Sequence, residues 1–205
     1  MITSRSWARP IVAALAAVVT APFALGACSQ GPRIFPDRDG VVAAQVGWCD
    51  GLARVLGGGS SWEHLAACKA AYPTGSAGYL SLMTKCFTRR VEAAGKDTPD
   101  RSRIIDECND EILVKMTPDE AAVRDLIEAR CLRMTRCERI PAAECKAGFA
   151  KLDAAQRTLL TSVYNAAGRY EIIDCLDTAS CTDNEDAGRA ACYKPAAEKL
   201  LWFPP

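Results

Sequence analysis

The chain predicts an all-α fold stapled by disulfides, and three observations carry that prediction. Beyond residue 40, apolar residues recur mostly at spacings of three and four, the period of one helix face. Few β-branched runs alternate with period two, so strands are not expected. The sequence holds 11 cysteines in 205 residues, a density at odds with a cytosolic protein and suited to an oxidising compartment. Apolar residues make up 49% and charged residues 24%, so the chain is neither disordered nor strongly polar. The formal net charge is zero, which removes the long-range pull toward nucleic acid.

The N-terminus comes first. Met1 to Arg9 carries Arg5 and Arg9 and no acid, and Pro10 to Leu25 is almost wholly apolar. That run falls short of the roughly 20 apolar residues a membrane helix needs. A basic start, an apolar stretch and small residues read as a signal peptide over 1–27. The stretch ends Leu25-Gly26-Ala27-Cys28. This motif resembles the bacterial lipobox, a leucine and two small residues before a cysteine. The resemblance implies a diacylglyceryl thioether on Cys28, cleavage before it and N-acylation of the new terminus. It also implies membrane anchoring. Ser29 at the next position implies the outer membrane rather than the inner, since Asp there favours inner-membrane retention. Without Cys28, ten cysteines remain, the even number that a disulfide framework requires. Cleavage removes two of 25 basic side chains and none of the 25 acidic ones, leaving 23 and 25.

Residues 28–40 read as a lipidated tether. Ser29 to Gly40 is rich in Pro, Gly and charge and has no period; twelve residues at ~3.3 Å each reach at most roughly 40 Å. The alternative is an arm packed on the body through Ile34 and Phe35.

Residues 41–205 form the helical cysteine-rich domain. Four stripes mark helix faces: Val42, Val46, Cys49, Ala53 and Leu56; Tyr79, Met83, Cys86 and Phe87; Ile104, Ile105, Cys108 and Ile112; Val123, Ile127, Cys131 and Met134. Helix starts are expected at the capping box Ser60-Ser61-Trp62-Glu63, at Thr98-Pro99-Asp100, at Thr117-Pro118-Asp119-Glu120 and at Asp153 to Gln156. Stops are expected at Gly57-Gly58-Gly59, Pro73, Gly95 and Gly168. Together these signals predict seven or eight short helices.

The cysteines divide into halves, 41–116 and 117–205, that read as degenerate repeats. Cys49, Cys68, Cys86 and Cys108 align with Cys131, Cys145, Cys175 and Cys192, and Ala-Cys-Lys-Ala at 67–70 meets Glu-Cys-Lys-Ala at 144–147. The second half has two extra cysteines, Cys137 and Cys181. If the halves are repeats, two cysteines missing together from one of them are expected partners. Cys131 and Cys137 lie about 120° apart on a helix, so they are expected to bond to different neighbours. The remaining pairings stay open. The cysteine rhythm over 128–195 resembles that of cysteine-rich, uncharacterised helical lipoproteins of myxobacteria and their relatives. That resemblance implies no activity.

Chemistry-bearing motifs are scarce. His64 is the lone histidine, read as a surface or cap residue in preference to a general base. There is no Cys-x-x-Cys, P-loop, HExxH, nucleophile elbow or dinucleotide loop, so no metal, cofactor or catalytic set is expected. Acids cluster at Asp106-Glu107, Asp110-Glu111 and Asp183 to Asp186; the last reads as a helix N-terminus in preference to a calcium loop. Arg130, Arg133 and Arg136 recur every three residues, with Arg139 beyond. That ridge reads as a solvated face paired with Glu128 and Glu138, in preference to a phosphate or acidic-partner site. Leu200 to Pro205 is expected to dock on the helices, with an exposed aromatic tail as the alternative. The expectation is a non-catalytic binding or envelope-scaffold lipoprotein that meets an envelope or secreted protein, with no nucleic-acid partner. The alternative is an exported enzyme, a carboxylate hydrolase or a thiol–disulfide exchanger.

Overall fold

The structure, a computed structural model, describes residues 35–57, 59–95 and 100–204. The expected signal peptide, Cys28 and most of the expected tether lie outside the described residues. Those residues are all-helical, with a single isolated bridge pair and no named strand. The α-helices are α1 (Arg38–Leu56), α2 (Leu65–Ala70), α3 (Ala77–Ala94), α4 (Arg101–Lys115), α5 (Glu120–Glu138), α6 (Ala142–Phe149), α7 (Ala154–Leu160), α8 (Ala166–Thr178) and α9 (Glu185–Glu198). No helix among the described residues is long and apolar enough to cross a membrane.

Helix starts follow short polar side chains. Asp100 caps α4 by accepting from the N–H groups of Ser102 and Arg103, and Asp119 caps α5 by accepting from Ala121 and Ala122. At α5 the expected Thr117 cap is thus displaced, because a carboxylate two positions on reaches two orphan N–H groups at once; Thr98, the cap expected at α4, lies outside the described residues. Asp153 and Gln156 make the expected reciprocal box at α7. Ser60 does not begin a helix: Gly59–Ser61 is a single 3-10 turn, and α2 starts at Leu65 without a side-chain cap. Trp62 turns instead to meet the Trp202 ring edge-on at 6.2 Å. Gly168 is not a stop. It lies in the first turn of α8, where its N–H donates to the Asn165 cap and its missing Cβ lets Thr74 approach to 2.9 Å of the place a Cβ would take. Residues 38–40 belong to α1 rather than to a tether. Phe35 meets the Tyr170 ring at 6.3 Å, and the Asp37 carboxylate accepts from Ala166 N–H.

The two halves share one plan. Five disulfides join Cys49–Cys68, Cys86–Cys108, Cys131–Cys145, Cys175–Cys192 and Cys137–Cys181. In the first half α1 packs on α3, with α2 stapled to α1 and α4 stapled to α3. In the second, α5 packs on α8, with α6 stapled to α5 and α9 stapled to α8. The register agrees throughout. Cys49 and Cys131 are each the twelfth residue of their helices, Cys68 and Cys145 the fourth, Cys86 and Cys175 the tenth, and Cys108 and Cys192 the eighth. The fifth bridge ties α5 to the loop after α8. Cys181 lies beyond the end of that helix, so Cys175 and Cys181 share no helix.

The stripes sit as expected on α3 and α4; on α1 Cys49 and Ala53 are buried as expected, but the buried face shifts toward Val41. Val42 is exposed, whereas Val41, Gln45, Trp48 and Leu52 are buried. Gln45 is hidden because its amide donates to the Cys68 carbonyl at 2.9 Å, a buried polar group that polarity alone assigns to the surface. Trp48 is the centre of the first half's core. It meets the rings of Phe87 at 5.4 Å and Phe203 at 5.2 Å, and its indole N–H donates to the Trp202 carbonyl at 2.8 Å. The C-terminal segment therefore docks.

The halves join where the loops before α3 and α8 meet. Ser76 N–H donates to Val163 O and Asn165 N–H to Thr74 O, both at 2.8 Å, forming the Gly75–Tyr164 bridge. A Cβ on Gly75 would lie 2.5 Å from the Leu200 carbonyl, so this crossing needs glycine.

Candidate functional site

The second half carries the side chains that distinguish it. Helix α8 ends at Thr178 with Ala179 extended and no glycine cap, which leaves its last carbonyls seeking donors. The arginine ridge of α5 supplies donors to them through Arg136 and to the turn beyond through Arg133. Arg133 is 1% exposed; its guanidinium donates to Ala179 O and Ser180 O, each at 3.0 Å, and to the Glu185 carboxylate at 3.0–3.1 Å. Arg136 donates to Asp177 O, Leu176 O and Ala179 O at 2.6–3.1 Å. The ridge is thus a solvated face only in part: Arg136 and Arg139 stay exposed, whereas close packing of α5 on α8 buries Arg133 against the end of α8. Its expected acids do not pair with it: Glu128 binds Lys146 and Glu138 binds Arg189. Arg139 is the αL residue that ends α5, at φ 60°. The backbone N–H of Thr182 holds the Glu185 carboxyl below the ordinary range; burial opposes this and Arg133 assists it.

Arg130 stands apart. Its guanidinium lies over the Phe149 ring, 5.1 Å from the centroid, and near the Tyr193 hydroxyl, where its charge opposes the burial that raises that group's pKa. Among the described residues no carboxylate pairs with it. Two open grooves share Arg130 and Leu160 in their walls. The first, about 430 Å³, runs between α5, α6 and α7 past Met134, Ile140, Phe149 and Leu152. The second, about 380 Å³, adds Arg189, Tyr193 and Lys194 of α9. Each volume lies within the roughly 300–1,000 Å³ of small-molecule sites. Arg189 is buried and bound to Glu138 and Asp186; burial, then Arg130 and Arg133, lowers its pKa. Burial also raises the Tyr193 hydroxyl.

The remaining expected positions fall elsewhere. His64 heads α2 without capping it, packed near the Trp62 and Trp202 rings and 3.3 Å from Glu63. Glu107 and Glu111 form surface ion pairs with Arg89, Arg90, Arg103 and Lys115. Lys115 and Arg89 pull the Glu111 carboxyl down to about 2. Asp183 to Asp186 enters α9, with Asn184 as its cap. Cys137 and Cys181 lie within 4.8 Å of a Glu185 oxygen, but their sulfurs are bonded to each other and so do not stand as metal ligands. The groove residues Phe149, Leu152 and Leu160 carry no sequence motif; the available signal is the shortness of α6 and α7, which cannot bury all their apolar residues. Leu159, for example, is half exposed.

The sequence matches no protein-family model, no curated protein and no solved structure.

Proposed function

We propose that the protein is an exported, lipid-anchored, non-catalytic binding module. Lipid on Cys28 holds it at the cell envelope, with the outer membrane as its station; its helical body meets an envelope or secreted protein, and the groove around Arg130 is its small-ligand binding face. One observation carries the reading. The ten cysteines from Cys49 to Cys192 pair among themselves, so Cys28 has no partner cysteine left in the chain. An oxidising, exported setting accounts for the five bridges, and a lipobox accounts for the eleventh cysteine. Two or more acyl chains make such anchoring stable. A rigid stapled body also loses little entropy when it binds.

The test is the intact mass of membrane-extracted protein after thiol blocking without reductant. The expected result is acylation at Cys28 and no blocked thiol. An unlipidated mass would remove the anchor.

A thiol–disulfide exchanger is the second reading, favoured by one observation. Cys181 is exposed and Cys137 half-buried, whereas both cysteines of three other bridges are buried. Two blocked cysteines at 137 and 181 in the native sample would favour it.

A further inference from the structure

We infer that the groove around Arg130 binds a small amphipathic carboxylate, its hydrocarbon body along Phe149, Met134 and Leu160 and its anionic head on Arg130. The inference rests on the binding-module reading above and names the ligand class for that face.

The two halves are equivalent in helix order and cysteine register. Trp48 and Arg130 are each the eleventh residue of equivalent helices. In the first half that station is filled by the chain itself. Trp48 is wholly buried, Phe203 meets its ring edge to face, and its indole N–H donates to the Trp202 carbonyl. The occupant there supplies an apolar body and one acceptor oxygen. In the second half the station holds a stronger donor. Arg130 presents a charged, forked guanidinium at an apolar groove of about 430 Å³.

The charges at the groove select an anion. Arg189 is bound by Glu138 and Asp186, and Lys194 lies 3.7 Å from Glu198. Glu144, the other acid in the walls, is exposed on α6. Arg130 is left with a ring face and a hydroxyl, neither of which neutralises it. A carboxylate beside it makes a charge-assisted pair in a partly desolvated setting, and the attached chain covers the apolar wall.

Decanoate and decan-1-ol are the probes, titrated calorimetrically into residues 29–205 exported with native disulfides. This piece contains all of residues 34–205, which form one compact unit holding the five bridges and their core. Two variants test the two parts of the site. Gly148 lies on the groove wall, and a Cβ there meets nothing within 4 Å, so Gly148→Phe fills the groove without forcing the fold. Arg130→Gln removes the charge. Circular dichroism and thiol counting check that each variant folds.

The expected result is saturable one-to-one binding of decanoate, at least tenfold tighter than decan-1-ol. Gly148→Phe weakens both ligands at least tenfold. Arg130→Gln weakens decanoate at least tenfold and decan-1-ol less than twofold. Equal affinity for acid and alcohol, or decanoate binding untouched by Arg130→Gln, overturns the carboxylate assignment and leaves the groove standing as a binding face. No saturable binding of either probe, or binding indifferent to Gly148→Phe, overturns the ligand class and that choice of face together. Neither outcome bears on the Cys28 anchor, which the intact mass reads separately.

Discussion

The two halves repeat one four-helix plan and differ at the eleventh position of their long helices. The first half places Trp48 there and closes over it with the C-terminal segment. The second places Arg130 there and leaves the space beside it open. It also inserts α7 between α6 and α8 and adds the Cys137–Cys181 bridge, neither of which has a counterpart in the first half. One copy of the plan is thus finished as core and the other as surface chemistry. The disulfide register is what allows this divergence, because the staples hold the helices while residues between them change.

The largest effect is expected where the first half is closed. Trp48→Ala removes a wholly buried indole that meets two other rings, and should lower unfolding free energy by about 3–5 kcal/mol. Denaturant unfolding measures it. Arg130→Ala should move the midpoint far less, and equal losses would show that both stations are core.

The unmatched bridge comes next. Cys137–Cys181 spans 44 residues, against 14 for Cys131–Cys145. The double variant Cys137→Ser/Cys181→Ser should cost about 2–4 kcal/mol by loosening the unfolded chain. Its exposure predicts that mild reductant opens it first, before the buried bridges. Alkylation followed by peptide mass mapping reads the order, and earlier opening of Cys49–Cys68 would contradict it.

Arg133→Met tests whether the ridge pins the turn that follows α8. It strips donors from the Ala179 and Ser180 carbonyls, each charged hydrogen bond being worth about 1.5–3 kcal/mol. A stability loss of about 3 kcal/mol is expected, with faster amide exchange at Thr182 in that turn, whose N–H donates to the Glu185 carboxylate that Arg133 holds. Unchanged protection there would show that water caps those carbonyls equally well.

The smallest effect belongs to the first half's surface. Glu111 has a folded pKa of about 2 against an ordinary 4.5. A depressed carboxyl stabilises the fold fully above its unfolded pKa, and that contribution is lost as pH falls from about 4.5 toward 2. Glu111→Gln should therefore flatten the acid limb of stability in that window, only slightly because solvent screens the surface ion pairs it forms. An unchanged acid limb would discard the ion-pair cluster as a contributor.

Much of the fold was legible because its signals are local. The stripes on α3 and α4 follow helical period, the Asp153 box forms as written, and the cysteine alignment matches the helix register. The bridge between Cys137 and Cys181 joins the two cysteines that have no counterparts in the first half. What escaped depends on neighbours distant in sequence. Gln45 is polar by type and buried because a carbonyl of α2 waits for it. Gly168 looks like a stop and is a contact point for Thr74. The arginine ridge has the spacing of a solvated face, and only the end of α8 buries Arg133 within it.

By itself, then, the sequence determined the helical class, the even set of ten cysteines and the repeat that relates them. Periodicity, caps and cysteine spacing act over a few residues or along one helix, so the chain displays them directly. The tertiary structure alone decided which eleventh-position residue became core and which was left beside a groove. That choice turns on where the C-terminal segment comes to rest: Trp202 lies 154 residues from the indole N–H that binds its carbonyl, and no local rule spans that separation.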